Sequence, residues 1–502
     1  MVGVAALALV SDVFAAPNIH PGLIGKLTAA HQRVRAFALG VLRGESAHPI
    51  PSANLLREIT ALHPDISALA AESSDGGARA TAARSAAVAL VAEVSAAGAL
   101  SSLPDATLPS LRSELGGALV DALGEESRAM QLRLQRQADV GCTDPYDALF
   151  ARHALDLLIE NQRARDAIED LQAGRRPQRR VHAPIYRSRR AAARSGLRAF
   201  LAVVISAMLL SLGGWPFASL GVGLVGVIIA LSANSPNPPA LVAGAVIAMP
   251  VAVLLAGVTE FLILDGVDQF PLLAIGMAPS VLAAALLFTI PSPRLAPIGF
   301  LVLVFFPVIL SPTNPQSYNP ETYLFFSFMA ITSVILLFVL VRTVLPTSDA
   351  LRRRWCLTSA QAEMRRLLAG RRSRRLDDEA LFRDADRIGQ LAAPQPADGD
   401  ERRDDLRQAL DIFGCAAAVR RVRTRLAELS ARRGERGDAY SALAAGDAPG
   451  LRRAAADLAS TAAQLDHDAQ EATRAASLDL IWAAFLFDAS PSGLDPHRSS
   501  VS

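Results

Sequence analysis

Between Leu197 and Pro346 the sequence carries six apolar runs, and no other feature limits the possible folds as strongly. The runs are Leu197 to Leu212, Ala218 to Leu231, Ala240 to Leu262, Pro271 to Phe288, Leu295 to Leu310 and Thr322 to Leu345. A helix needs roughly 20 apolar residues to cross a bilayer core, and all but two marginal runs approach that length. The charged residues in this stretch are Arg198, Glu260, Asp265, Asp268, Arg294, Glu321 and Arg342, each at or near the end of a run. Charge at the centre of a spanning helix costs about 2.5 to 3.5 kcal/mol on insertion scales, whereas a soluble helix of similar length carries several charges on its wet face. The expected fold class is therefore all-α, with a polytopic six-helix membrane domain at 195–346 flanked by two cytosolic helical bundles.

The flanks set the orientation. Arg175, Arg176, Arg179, Arg180, Arg187, Arg189, Arg190 and Arg194 precede the first run, while Arg352, Arg353, Arg354, Arg365 and Arg366 follow the last. Arginine excess marks the cytoplasmic side, so both large soluble segments read as cytoplasmic and the loop holding Arg294 as internal. Juxtamembrane arginines hold anionic lipid headgroups, which accounts for the 175–194 cluster with the lipid bilayer as partner and without nucleic acid.

Bulk composition decides less. The net charge of +2 averages an apolar middle with highly charged ends. Abundant Ala, and Arg in place of Lys almost throughout, reflect the composition of a GC-rich genome. Cys142, Cys356 and Cys415 are far apart and outside the runs, so neither a disulfide framework nor a zinc cluster is expected. None of the eight histidines lies in a run, which leaves carboxylates or the substrate itself to carry any proton coupling. There is no P-loop, HExxH, GxSxG or CxxC pattern, so no enzyme activity, cofactor or metal is called for.

Outside the runs the chain divides further. Residues 1–17 form a short apolar stretch resembling the tail of a transmembrane helix. Residues 18–190 read as a helical domain whose last helix places Phe150, Ala154, Leu157, Ala164, Ile168 and Leu171 on one face. Residues 347–490 read as a second helical domain. There, Leu451, Ala455, Leu458, Ala462, Leu465, Ala469, Ala472 and Ala476 fall on one seam of a late helix. The run Leu478 to Phe487 needs burial, against the first bundle or a second subunit. Arg371 to Arg375 followed by Asp377, Asp378 and Glu379 reads as a solvated, salt-bridged helix surface, and residues 491–502 as a disordered tail.

Candidate site residues cluster at the loops between runs. The proline-rich inner loop offers the amides of Asn234 and Asn237 beside broken backbone, a setting in which transporters hold anions; a simple connecting loop is the alternative. Arg294 could pair with a substrate carboxylate from the cytosol, or only fix topology. Glu260, Asp265 and Asp268 gather at the outer ends of runs three and four, where a partly withdrawn carboxylate could exchange protons; Glu260 lies nearest the apolar run. Pro250 and Pro307 are candidate kinks, and Gly221, Gly223 and Gly226 candidate points of close helix approach.

An ordered set of short motifs adds a family resemblance: Gly214-Trp215-Pro216, Asn237-Pro238, Asp268-Gln269-Phe270-Pro271 and Asn314-Pro315-Gln316-Ser317-Tyr318. In order and loop position these resemble the fusaric acid resistance family of inner-membrane exporters, which includes aromatic acid efflux pumps, and in particular its C-terminal half. The resemblance implies a bacterial inner-membrane protein that exports aromatic or other small organic carboxylates on the proton gradient. It also implies a periplasmic membrane-fusion adaptor and a duplicated plan of twelve spans. Only six runs are present here, so the expectation includes an incomplete half-transporter completed by a second copy or a separate first-half partner. Alternatives are a non-transporting membrane scaffold or regulatory half, and a passive anion channel.

Overall fold

The computed structural model describes residues 19–489 except 45–48, 73–74, 104–116, 124–127, 140–144, 178, 180, 234–237, 265–269, 291, 293–294, 313–317, 346–348, 371–376, 393–399, 434–436, 463 and 466. The apolar stretch at 1–17, the Arg371–Arg375 run and the 491–502 tail lie outside the described residues. Among the described residues the regular secondary structure is helical, with no strand. They divide into two compact units, residues 188–352 and the combination of residues 1–187 with 353–502.

Among the described residues the apolar unit contains six α-helices: α7 (Arg189–Leu212), α8 (Ala218–Ala233), α9 (Pro238–Val258), α10 (Phe270–Thr289), α11 (Leu295–Leu310) and α12 (Pro320–Thr343). α7 starts eight residues before the apolar run, because the Ser188 hydroxyl accepts from Ala191 N–H at 3.3 Å and so caps the polar lead-in. α12 is capped more fully: Asn319 Oδ1 accepts from Glu321 N at 3.0 Å and Thr322 N at 3.2 Å, and Pro320 occupies a position where no N–H is needed. α9 packs against α8, α11 and α12, while α10 packs on α11 and α7 on α8 and α12.

Small residues set two of these approaches. A Cβ at Gly221 would fall 2.5 Å from Ser333 Oγ on α12, and one at Gly299 2.5 Å from the Phe288 backbone nitrogen. Gly223 and Gly226 have nothing within 4 Å, so the close approach expected of α8 is confined to Gly221. Among the described residues, the large exposed apolar side chains belong to this unit except Ile50 and Leu132. A face this apolar is suited to lipid rather than water.

The polar unit joins both ends of the chain. Its first part contributes α1 (Ile19–Leu42), α2 (Pro49–Thr60), α3 (His63–Glu72), α4 (Gly76–Ser101), α5 (Arg128–Asp139) and α6 (Pro145–Ala173). Its second contributes α13 (Asp349–Leu368), α14 (Asp377–Leu391), α15 (Asp400–Arg433), α16 (Gly437–Ala445), α17 (Ala448–Ala462) and α18 (His467–Ala489). Sequence treats these as separate bundles, but α14 packs on α2 and α18 on α6, and each of two apolar clusters draws on both segments. Burial of the 478–487 run is the reason: Leu480, Ala483 and Ala484 are fully enclosed in the same cluster as Phe150, Ala154 and Leu157 of α6. A segment just before the apolar unit is pinned to α14, with Tyr186 N donating to Asp386 Oδ2 at 2.8 Å and the Arg387 guanidinium 4.6 Å above the Tyr186 ring.

Two sequence readings need adjustment here. The seam from Leu451 to Ala476 spans two helices, not one. α17 ends in a turn closed by Gln464 N and Leu465 N, and α18 folds back so that Ser477 Oγ donates to Ala455 O at 2.8 Å. The fold-back lets the small side chains of the seam be buried against each other. Second, α4 is a fifth helix long and apolar enough to cross a membrane, beside α7, α9, α10 and α12. Most of its apolar length is buried within the polar unit, as an all-round apolar helix at the centre of a bundle should be.

α4 also buries a carboxylate. Glu93 is fully enclosed, neither of its oxygens has a hydrogen-bond partner, and burial with the nearby Glu160 pushes it up to about 8 against Arg165 and Arg35. Burial holds His153 of α6 down at about 3. A carboxyl raised in the fold contributes stability that is complete below its unfolded value near 4.5 and is lost as pH rises toward about 8. Glu93→Gln should therefore raise the thermal stability of the full chain at pH 8.5, by an amount on the order of a few kcal/mol, and flatten its decline above about pH 5. Scanning calorimetry across pH checks this; a variant no more stable than the parent at pH 8.5 contradicts it.

Candidate functional site

The apolar unit departs from regular helix where α9 ends. Thr259–Ile263 forms a π-helical turn, closed by Leu264 N donating to Thr259 O at 2.9 Å. Such turns put an extra residue into a helix and loosen the ladder locally, and they recur at functional sites. In this turn sits Glu260, 5% exposed.

Neighbouring helices are shaped to the turn. Thr259 Oγ1 is 3.1 Å from Ser280 Oγ of α10, one residue after Pro279. α10 comes close because residue 276 is glycine: a Cβ there would lie 2.6 Å from Leu264 Cδ2. From α12, the Tyr323 hydroxyl donates to Val253 O, and its ring meets Phe261 edge-on at 5.2 Å. Tyr323 and Glu260 are close enough to couple electrostatically. The Tyr318 hydroxyl donates to Leu264 O at the far end of the turn. Two tyrosine hydroxyls thus donate to carbonyls on either side of the irregular backbone segment. The site combines one carboxylate, two helix-borne hydroxyls and two phenols, which suits proton exchange more than covalent chemistry.

Of the residues expected to form a site, Glu260 and Tyr318 are brought to this turn. Gly214 takes φ +64 in the α7–α8 turn, where a side chain would be strained. Trp215, half-exposed in that turn, stacks on Phe328 at 5.7 Å, with Pro216 following it. Pro271 lies exposed in the first turn of α10. Pro238 and Phe270 begin α9 and α10, and their side chains are outside the described residues. Asn234, Asn237, Asp265, Asp268, Arg294, Asn314 and Pro315 also lie outside them. No group of three or more His, Cys, Asp or Glu side chains positioned for a metal occurs among the described residues.

The model of the fusaric acid resistance protein family matches residues 1–491. The chain belongs to that family. Neither a curated protein nor a solved structure matches it. Family membership and the apolar helices together mark a multi-pass membrane transport protein.

Sequence reasoning missed Tyr323, Thr259, Ser280 and the π-helical turn itself. Their one signal is polar hydroxyls placed within otherwise apolar runs, which hydropathy averages away. Gly257 is part of the same arrangement, since a Cβ there would meet the Tyr323 hydroxyl oxygen at 3.0 Å. Gly257→Val should displace that phenol and destabilise the purified protein by about 1 to 3 kcal/mol, as overpacking does. Gly257→Ala should cost much less. Thermal unfolding in detergent checks the order, and equal stability for Gly257→Val and the parent contradicts it.

Proposed function

We propose that this member of the fusaric acid resistance protein family exports small organic carboxylates, aromatic ones included, from the bacterial cytoplasm across the inner membrane at the expense of the proton gradient. In this reading helices α7 to α12 form the membrane domain and the polar unit faces the cytoplasm. The observation that carries the coupling is the enclosed carboxylate of Glu260 on its π-helical turn. A carboxylate withdrawn from water gains a proton without the cost of a buried charge and loses it when the site opens. The loosened ladder gives that opening a place to happen.

Proton entry neutralises Glu260 and, in this reading, shifts the turn against α10 and α12 to one of two packings. Asn234, Asn237 and Arg294 are the proposed contacts for the substrate anion on the inner side, with Asp265 and Asp268 lining the outer approach. A periplasmic adaptor and a second copy, or a separate first-half partner, belong to the same proposal.

Glu260→Gln holds the site in its neutral form. The variant should lower protonophore-sensitive efflux of a radiolabelled aromatic acid from expressing cells by about a hundredfold, while Glu260→Asp keeps a measurable part. Membrane levels must be matched by quantitative blotting. Unchanged efflux and pH dependence in Glu260→Gln would remove Glu260 from the mechanism, and flux that persists in the parent without a proton gradient would instead favour a passive anion channel.

A further inference from the structure

Glu93 is the carboxylate of α4, and its own helix gives it nothing to bond. The residues one turn away are Ala89, Leu90, Ala96 and Ala97, all buried. Glu93 is itself fully enclosed, with no hydrogen-bond partner on either carboxyl oxygen. α4 packs on α1, α2, α3, α6, α14 and α15, yet the charged groups that act on Glu93 come from two of these: Glu160 and Arg165 of α6, and Arg35 of α1. An ionised carboxylate enclosed without a partner is costly, so Glu93 holds a proton while this packing is closed.

The neighbouring groups are engaged elsewhere. Arg165 Nη2 donates to Leu123 O at 2.6 Å, and Asn161 Nδ2 reaches the same oxygen at 3.5 Å. Leu123 is fully enclosed in the apolar cluster that joins both ends of the chain. Asn161 Oδ1 in turn accepts from His31 Nε2 of α1 at 2.8 Å. Burial, with Arg165 and Arg35 close by, holds His31 below its ordinary value, so it is neutral near pH 7 and does not compete for a carboxylate. Arg35 Nε is buried and has no hydrogen-bond partner. Glu160 pairs with Arg163, and burial raises it to about 7. Its charge in turn helps to keep the proton on Glu93.

We infer that Glu93 is a proton-binding switch of the polar unit, separate from Glu260, whose ionisation draws Arg165 off Leu123 O and loosens the backbone there. A bare charge formed in this enclosure must gain a cation, and Arg165 acts on Glu93 more strongly than Arg35 does. The move exchanges a hydrogen bond to a neutral carbonyl for one between two charges, which is the stronger kind. Glu93 is raised to about 8 in the closed packing, so the switch is closed at low pH and opens as pH rises. Because the open form gains a partner for the charge, the transition falls at or below that value. That the switch follows cytoplasmic pH rests on the reading that places the polar unit in the cytoplasm; the switch itself does not.

The test uses the full chain in nanodiscs, between about pH 6 and about pH 8.5. Infrared difference spectra report the carboxyl proton, and amide hydrogen exchange, corrected for its intrinsic pH dependence, reports the backbone around Leu123. As pH rises the parent should lose a protonated-carboxyl band that Glu93→Gln lacks. Over the same range its protection around Leu123 should fall about tenfold, the equivalent of one charged hydrogen bond. Glu93→Gln should stay protected throughout. Glu160→Gln should keep the step and move it to lower pH, because a like charge is removed. Arg165→Gln should leave Leu123 weakly protected at every pH. Glu260→Gln should leave the step unchanged even where it abolishes efflux, so failure of the switch and failure of the transport reading are told apart. Protection that does not fall in the parent, a step that survives in Glu93→Gln, or full protection at low pH in Arg165→Gln would each overturn the proposal.

Discussion

Hydrocarbon tolerates neither an unpaired backbone group nor a bare charge, and the apolar unit is built around meeting that demand. Regular helix meets it by default. The π-helical turn at Thr259–Ile263 departs from it, and two tyrosine hydroxyls reach the backbone beside that turn: Tyr323 donates to Val253 O and Tyr318 to Leu264 O. Gly257 leaves room for the Tyr323 hydroxyl of α12, and Gly276 lets α10 pack against Ile263 and Leu264. The same enclosure that makes the turn need these partners is what makes Glu260 a candidate proton carrier.

The polar unit answers a different solvent with a different balance. Its apolar clusters are assembled from both ends of the chain, so neither segment buries its own hydrophobic surface alone. Ion pairs then fix the match between elements. Glu363 of α13 and Asp384 of α14 are shared by Arg383, Arg387 and Arg420, with Arg387 Nη2 2.8 Å from Glu363 Oε2 and Arg420 within hydrogen-bond reach of Asp384. Removing one partner from such a buried set typically costs about 3 to 5 kcal/mol, because the survivor is left charged and unpaired. Glu93 departs from this pairing, with no hydrogen-bond partner on either carboxylate oxygen.

How much of this was legible in the sequence varies with the kind of signal. The apolar runs mark α7 to α12 directly, because length and absence of charge are one-dimensional properties. The face from Phe150 to Leu171 on α6 is legible for the same reason, and all six of its residues are buried. The joining of residues 19–187 to 353–489 is not, since pairing between distant helices leaves no local pattern. α4 shows the limit of hydropathy, which reports that a helix avoids water but not whether lipid or protein surrounds it. At the site, Glu260 is visible as the charge nearest an apolar run. Tyr323 and Ser280 are not, because a single hydroxyl in an apolar helix reads as noise until a neighbour gives it a partner.

The account rests on the claim that proton movement and anion movement pass through one carboxylate. Proteoliposomes holding a pH-sensitive dye, with an aromatic acid gradient and no imposed pH gradient, measure this directly against protein-free vesicles. The account predicts proton movement opposite to the acid for the parent chain, above the protein-free background, and only the background for Glu260→Gln. Equal proton movement in the two proteins would contradict it.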